Sequence, residues 1–237
     1  MTDAPQRLIL PDGAALADMV ATLFARAMND AVARRGVGIA ALSGGRTPRA
    51  AYAAMATFDL PWEKIVITET DERWVGRASP HSNARMICET LLQGAAAAAR
   101  FVPLKSAGDA PEDAACDASA RLRALPLPLD FVLVGAGEDG HFASLFPDSP
   151  VLDAALAPDC EDFCIAVPAG ENGRAPDLPR LSLTLAVIAR ARAVVLLVSG
   201  DEKRKMLDAA MADPASRLPL RALLNACPEI TIAWAPQ

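Results

Sequence analysis

The segment GIAALSGGRTP, residues 38–48, joins three features that indicate how this chain folds. Gly38–Leu42 is a short, uninterrupted apolar run of the kind that forms a strand buried on both faces. A turn of small residues follows it, and Thr47 with Pro48 is typical of the first turn of a helix. Strand, glycine turn and helix make up the repeating unit of parallel α/β sheets.

The same alternation continues along the chain. Asp12 is placed to cap a helix over residues 14–35, and Gly36 is placed to end it. Further strands are predicted at residues 65–67, 131–134, 194–198 and 230–234, and further helices at 83–92, after Pro111 and at 201–211. We therefore predict an α/β fold, with a mostly parallel sheet covered by helices on both faces and a ligand site beyond the carboxyl ends of the strands.

Length and composition suit one packed domain of residues 1–237, since 52% of the residues are hydrophobic. The net charge of -6 argues against a nucleic-acid surface, which normally carries clustered basic residues. The longest apolar runs fall far short of the roughly 20 residues that a membrane-spanning helix requires. The first thirty residues do not resemble an export signal. We expect a cytoplasmic protein with neither nucleic-acid nor membrane partners.

The cysteines form no recognisable disulfide or metal pattern. They are odd in number, scattered and without a C-x-x-C pair: Cys88, Cys116, Cys160, Cys164 and Cys227. Cys160 and Cys164 can lie one helical turn apart, but no neighbouring histidine completes a zinc site. We expect reduced thiols, no metal and no cofactor.

The turn Ser43-Gly44-Gly45-Arg46-Thr47 lies between a predicted buried strand and a helix N-terminus. Free backbone N–H groups and the helix dipole at such a place favour an anion, so the turn is a candidate phosphate site. An ordinary tight turn capped by Thr47 is the alternative. The G-x-x-x-x-G-K-[ST] pattern of a Walker loop is absent.

A polar loop is predicted at residues 68–82, after the second strand. Within it, Asp71, Glu72 and Arg73 form either a solvated charge cluster or part of a ligand site at the carboxyl edge of the sheet. Ser82 and Asn83 either begin the next helix or also meet a ligand.

The loop GAGEDGH, residues 135–141, follows the third predicted strand and matches the dinucleotide pattern G-x-G-x-x-G literally. We reject a dinucleotide site, because Glu138 and Asp139 oppose a pyrophosphate and the loop lies past the middle of the chain. The glycines instead permit a sharp turn that points Asp139 and His141 into the crevice. Structural and catalytic roles for His141 are equally open, whereas His81 is expected in an exposed loop.

Two further residues are ambiguous. Lys203 lies near the start of the last predicted helix, where its charge does not favour the helix dipole, so it is either a site residue or a solvated one. Ser144 is a weak candidate nucleophile, because the G-x-S-x-G pattern of many serine hydrolases is missing.

Five motifs occur together: SGGRTP from Ser43, TDERWV from Thr70, SN at Ser82, GAGEDGHFASLFPDSP from Gly135 and GDEK from Gly200. In order and spacing, along nearly the whole chain, they resemble the 6-phosphogluconolactonase family. The stretch from Gly140 to Pro147 is characteristic of these lactonases. The resemblance implies a Rossmann-like three-layer α/β sandwich, which the family shares with glucosamine-6-phosphate deaminases.

The resemblance also implies an activity: hydrolysis of 6-phosphogluconolactone, a step of the oxidative pentose phosphate or Entner-Doudoroff pathway, by a monomer without a cofactor. His141 is implied as the base that activates water, supported by Asp71 and Asp139. The implied basic substrate positions are Arg73, Lys203 and, in a looser pattern, Arg180. The implied phosphate loop comprises Ser43, Gly44, Gly45 and Thr47, with Arg46 as additional charge.

This reaction fits the residue types. A sugar δ-lactone is an activated cyclic ester, so its hydrolysis requires a positioned base and stabilisation of an oxyanion, with neither metal nor covalent intermediate. An imidazole is largely neutral near pH 7 and can accept the proton of the attacking water. A remote phosphate fixes the position of the ring.

Two other functions fit the same motifs: a sugar-phosphate isomerase or deaminase, and a non-catalytic sugar-phosphate sensor. Deamination requires an additional acid-base group, and the deaminase pattern places a carboxylate shortly after the histidine. Leu145 and Phe146 occupy that stretch here, and Asp148 is the first carboxylate after it. The sensor is disfavoured, because sensors of this kind usually carry a basic DNA-binding segment.

Overall fold

The computed structural model describes residues 5–106, 110–171 and 175–236. The strands are β1 (Gln6–Ile9), β2 (Gly38–Leu42), β3 (Ile65–Glu69), β4 (Asp71–Arg73), β5 (Arg100–Phe101), β6 (Phe131–Gly135), β7 (Cys164–Val167), β8 (Arg180–Leu183), β9 (Val194–Ser199) and β10 (Thr231–Ala235). The α-helices are α1 (Gly13–Arg35), α2 (Arg46–Met55), α3 (Asn83–Thr90), α4 (Pro111–Arg123), α5 (Leu152–Leu156), α6 (Leu185–Ala189), α7 (Asp201–Ala212) and α8 (Pro219–Ala226). Two short 3-10 helices are Trp62–Lys64 and Gly94–Ala98.

Seven strands form a parallel sheet in the order β1-β10-β9-β6-β2-β3-β5. Successive residues of a strand point to opposite faces, so Ile39 and Ala41 pack with α4 to α8, while Ala40 and Leu42 pack with α1 to α3. Two hydrophobic layers therefore enclose the sheet. The predicted fold class, a mostly parallel sheet covered by helices on both faces, is confirmed.

Local sequence signals place several helix ends correctly. Asp12 Oδ1 accepts a hydrogen bond from the N–H of Ala15 at 2.8 Å and caps α1, and Gly36 ends that helix with φ of 76°. Pro111 is the first residue of α4. Within the described ranges, none of the helices is long and apolar enough to cross a membrane.

The predicted loop at residues 68–82 is partly wrong, because it contains the end of β3 and all of β4. β4 pairs with β8 in a separate three-stranded antiparallel sheet, in the order β4-β8-β7. Asp71 lies opposite Ser182 in this pairing. No local pattern specifies that partner, which lies more than a hundred residues further along the chain.

Glu69, the last residue of β3, is a fully buried carboxyl group. Its Oε2 accepts a hydrogen bond from the N–H of Leu104 at 2.9 Å. Burial raises the pKa of Glu69 well above its usual value, and the nearby negative charges of Glu72 and Asp71 raise it further. The folded chain therefore retains a proton on Glu69 at a pH at which the unfolded chain has released it.

We expect Glu69→Gln to remove a pH-dependent loss of stability. Above the ordinary glutamate pKa, about 4.3, the wild-type free energy of unfolding falls with pH as long as the folded state alone keeps the proton, by about 1.4 kcal/mol per pH unit. Glutamine is neutral in both states and lacks this contribution. Urea unfolding at pH 5, 6 and 7 measures the difference.

Glu63→Gln makes the same chemical change on an exposed side chain and is the matched control. Parallel pH profiles of unfolding free energy for wild type and Glu69→Gln would show that Glu69 is not held protonated.

Candidate active site

The strand order creates a crevice at the carboxyl edge of the large sheet. Following β2, the chain adds β3 and β5 on one side of it, whereas β6, β9 and β10 lie on the other side. Loops leaving the neighbouring strands β2 and β6 therefore diverge, and ligands bind at such a branch point in open α/β sheets. These two loops are the glycine-rich segments SGG and AGEDGH.

The turn after β2 presents hydrogen-bond donors of the kind that suit an anion. Gly45 has φ of 111°, a left-handed value that favours glycine, and α2 begins there without a side-chain cap. Ser43 Oγ is buried and has no hydrogen-bond partner among the described residues, while the carbonyl of Ser43 accepts a hydrogen bond from the Tyr52 hydroxyl at 2.5 Å. A free hydroxyl and the uncapped N–H groups of α2 thus converge at one turn.

Gly44 allows this turn to lie against α3. A Cβ atom at Gly44 would be only 1.8 Å from Asn83 Oδ1. Asn83 itself is fixed by its Nδ2 group, which donates to the carbonyl of Asp71 at 2.8 Å. The turn, the start of α3 and β4 are therefore in direct contact.

The interpretation of Asp71, Glu72 and Arg73 as a solvated charge cluster is wrong. Asp71 and Glu72 are only 6% and 2% exposed. The Glu72 carboxylate accepts a hydrogen bond from the N–H of Arg73 at 2.7 Å and three more from the start of α3. Those donors are Ser82 Oγ at 2.8 Å and the N–H groups of Asn83 at 2.8 Å and Ala84 at 2.9 Å. Glu72 is thus a structural anchor for α3.

Ser82 and Asn83 were predicted either to begin a helix or to meet a ligand, and the structure supports parts of both predictions. Ser82 caps α3 by accepting a hydrogen bond from the N–H of Arg85. Asn83 is the first residue of the helix and also lines the crevice.

Two arginines face the crevice from the small sheet. Arg73 and Arg180 lie directly opposite each other in the β4–β8 pairing. Burial, followed by the positive charge of Arg73, lowers the pKa of Arg180, while Asp71 and Asp177 act in the opposite direction. Like charges directly opposite each other repel, so an anion bound between these guanidinium groups relieves repulsion.

His141 is oriented by Asp139. Its ring atom Nδ1 lies 2.5 Å from Asp139 Oδ1, and the backbone N–H of His141 also donates to this oxygen at 3.2 Å. Partial burial acts to raise the pKa of Asp139, but the hydrogen bonds and charge of His141 bring it below its usual value. With Asp139 ionised, Nδ1 is the donor and Nε2 is the available acceptor. The ring packs on Phe146, with 4.3 Å between ring centroids. His81 is exposed, as predicted.

Two adjoining cavities of about 260 and 360 Å³ open along this edge, and His141 lines both of them. The cavities also share Asp71, Arg73 and Ala143. The other predicted residues in the first cavity are Ser43, Gly44, Gly45, Thr47 and Lys203. The second cavity contains Arg180. The fold thus assembles the predicted set around one crevice, with Asp139 in contact with His141.

Lys203 and Arg46 add uncompensated positive charge to the first cavity. Both line it, and no carboxylate in the described part of the chain forms an ion pair with either. Lys205, two residues further along α7, instead points to the surface and pairs with Glu202 at 2.8 Å. Across the described residues, no group of three His, Cys, Asp or Glu side chains is arranged to hold a metal ion.

Another cavity, of about 310 Å³, lies at the opposite edge of the sheet, where β6 and β9 begin. Its Arg35 and Arg192 both pair with the buried Asp130, which also accepts a hydrogen bond from the N–H of Ile39 at 2.9 Å. These charges join α1 to the sheet. None of the predicted site residues lines this cavity.

Sequence reasoning missed how Ser144, Phe146 and Ser182 contribute to the crevice. Ser144 and Phe146 line the second cavity, and Ser182 contacts Ser144 from β8. The position of Ser144 near His141 was a usable signal. Ser182 carried none, because its place depends on the β4–β8 pairing.

Comparison with known proteins adds to this geometry. The sequence model of the family described as "Glucosamine-6-phosphate isomerases/6-phosphogluconolactonase" matches residues 11–233. A 6-phosphogluconolactonase of Mesorhizobium japonicum is 43% identical over 227 residues, which cover 95% of this chain and 93% of that protein. One of Caulobacter vibrioides is 44% identical over 222 residues, 93% of each chain. The crystal structure of a 6-phosphogluconolactonase from Shewanella baltica is similar with a TM-score of 0.90, at 29% identity and 99% coverage of both chains.

We expect Gly137→Ala to displace the imidazole of His141. An added Cβ would lie 2.2 Å from His141 Nδ1 and 2.5 Å from Asp139 Oδ1, so one of these groups must move. The ¹⁵N resonances of the His141 ring should shift, and the free energy of unfolding should fall by about 1–3 kcal/mol, as is typical of overpacking. His81, the other histidine of the chain, is the internal reference.

Gly135→Ala, at the last residue of β6 directly before this loop, is the matched control, because among the described residues its Cβ would meet only the carbonyl of Leu197, at 4.0 Å. Equal effects of the two substitutions on the His141 resonances would contradict this account of Gly137.

Proposed function

The chain belongs to the glucosamine-6-phosphate isomerase/6-phosphogluconolactonase family, and from this premise we propose that it hydrolyses 6-phosphogluconolactone to 6-phosphogluconate. The family match confirms the resemblance carried by the five sequence motifs. The observation that carries the mechanism is the His141–Asp139 pair, which lies where the two cavities meet.

His141 acts first as a base and then as an acid. Asp139 holds Nδ1 as a donor, so Nε2 takes a proton from water while the water oxygen attacks the lactone carbonyl. The resulting imidazolium is stabilised by the Asp139 carboxylate. It then returns its proton to the ring oxygen as the ester C–O bond breaks, which yields the open acid. Water is the only co-reactant.

The phosphate binds at the turn after β2. Its oxygens accept hydrogen bonds from the Ser43 hydroxyl, from the backbone of Gly44 and Gly45 and from Thr47, and Lys203 supplies the opposite charge. This placement is supported by the unpartnered hydroxyl of Ser43 and by the absence of a carboxylate paired with Lys203 in the described residues. It presents the other end of the sugar to His141.

Arg73 and Arg180 serve the other end of the substrate. Their facing positions suit the negative charge that develops on the lactone oxygen and remains on the product carboxylate. Asp71, which lines both cavities, supports the site as an acceptor for sugar hydroxyl groups.

The deaminase alternative receives less support from the site. The positions after His141 at which that pattern requires an acid hold Leu145 and Phe146, which are buried apolar residues, and Phe146 packs on the imidazole. Asp148 is exposed and lines neither cavity. A lone imidazole suffices for lactone hydrolysis.

We further propose that one domain, residues 1–237, carries the whole site and acts as a monomer in the cytoplasm. Two hydrophobic layers on the faces of one sheet support the single domain. The five free thiols suit a reducing compartment.

We expect His141→Ala to lower kcat for 6-phosphogluconolactone by roughly 10²-fold or more, because it removes the general base. The assay uses freshly generated lactone and is corrected for spontaneous hydrolysis. His81→Ala removes the other, exposed histidine and should retain wild-type kcat. Near-normal turnover of folded His141→Ala would eliminate the base assignment. Release of ammonia from glucosamine 6-phosphate, lost in His141→Ala, would instead favour the deaminase.

We expect Lys203→Ala to lower kcat/KM for 6-phosphogluconolactone about 10- to 100-fold, because one hydrogen bond to a charged group usually contributes this factor. Its effect on unphosphorylated gluconolactone, a poor substrate throughout, should be small. Lys205→Ala removes an exposed lysine from the same helix and is the matched control. An equal loss for both lactones would contradict a contact between Lys203 and the phosphate.

A further inference from the structure

Ser144 occupies an unusual turn directly after the His141 loop. The preceding residue, Ala143, has φ of 47°, and among the described non-glycine residues it alone has a positive φ. Such a conformation costs an alanine roughly 1–2 kcal/mol, and retained strain of this kind is common at functional sites. It places Ser144 in the interior, at 1% exposure.

Two hydrogen bonds from Ser144 join the His141 loop to the small sheet. The N–H of Ser144 donates to Ser182 Oγ at 3.2 Å, and its hydroxyl donates to Asp71 Oδ2 at 2.6 Å. Asp71 and Ser182 are themselves opposite residues of the β4–β8 pairing. Ser144 therefore bridges the two strands at the level of Asp71.

These contacts exclude the role of nucleophile for Ser144. Its hydroxyl is buried, and its proton is committed to Asp71 rather than to His141. A short hydrogen bond to a carboxylate is strong and directional, so it fixes the orientation of that carboxylate. Among the described residues, the second oxygen, Oδ1, has only a long contact with Thr70 Oγ1 at 3.3 Å, and it retains capacity to accept.

We propose that Ser144 is a positioning residue, whose hydroxyl holds the Asp71 carboxylate in the crevice so that Asp71 orients the sugar ring toward His141. This inference rests on the proposed lactonase function. Titratable groups lie near Asp71 on several elements: Arg73 on its own strand, Glu69 on β3, Arg180 on β8 and His141 in the loop. The short Ser144 bond selects one orientation of Asp71 among these neighbours.

The test is a double-mutant cycle with 6-phosphogluconolactone. Ser144→Ala should lower kcat/KM about tenfold or more in the wild-type background, yet have little further effect in Asp71→Asn, because Ser144 acts through Asp71. Ser144→Cys preserves shape but donates weakly, so it should resemble Ser144→Ala. Ser119→Ala removes another buried serine hydroxyl, which donates to the carbonyl of Cys164 and lines neither cavity, and should retain wild-type activity.

Each outcome decides between alternatives. Additive losses in the cycle, or wild-type activity of Ser144→Cys, would overturn the positioning role and leave only a packing role. A wild-type chain that fails to hydrolyse the lactone would overturn the proposed function instead. In that case, calorimetry can measure the dissociation constant of 6-phosphogluconate for the same four proteins, which tests the coupling of Ser144 and Asp71 without catalysis. Absence of binding by the wild-type chain would refute both proposals.

Discussion

The parallel pairing of β2 with β6 is the contact on which the rest of the site depends. Leu42 lies beside Leu133 in this pairing, so the two strands reach the carboxyl edge at nearly the same level. The chain leaves β2 toward β3 and β5 on one side, and it leaves β6 toward β9 and β10 on the other side. The turn after β2 and the histidine loop consequently border one crevice, although about ninety residues of sequence separate them.

Burying a carboxylate costs free energy because the group loses its water. Three neighbouring carboxyl groups of this fold offset that cost in different ways. Glu72 is stabilised by N–H groups at the start of α3, and Asp71 by a short hydrogen bond from Ser144. Burial and its negative neighbours raise the pKa of Glu69, so the folded chain keeps this proton to a higher pH than the unfolded chain does. A buried carboxylate is tolerated only where donors replace its lost water. Asp71, the member of this group that lines the crevice, is therefore held in a fixed position.

The sequence was informative wherever the signal was local. Gly38–Leu42 was predicted with its observed bounds, and Asp139 and His141 are close in sequence, so their approach required only a tight turn. The β4–β8 pairing was not predictable, because Arg73 and Arg180 are far apart in sequence and are brought together only by the packing of the whole fold. The need for Gly137 also became visible only in three dimensions, since its φ is not left-handed and the constraint is the imidazole ring beside it.

In the proposed mechanism, one loop of this fold holds the phosphate and another carries the groups that hydrolyse the lactone. The turn proposed for the phosphate offers main-chain N–H groups at a helix terminus, which remain when side chains are exchanged. The proposed base, His141, and its partner Asp139 instead lie on the loop after β6. Under the proposed function, substitutions in that loop alter the reaction while the main-chain groups of the turn stay in place. One phosphate-binding turn is thus compatible with more than one reaction on the same fold.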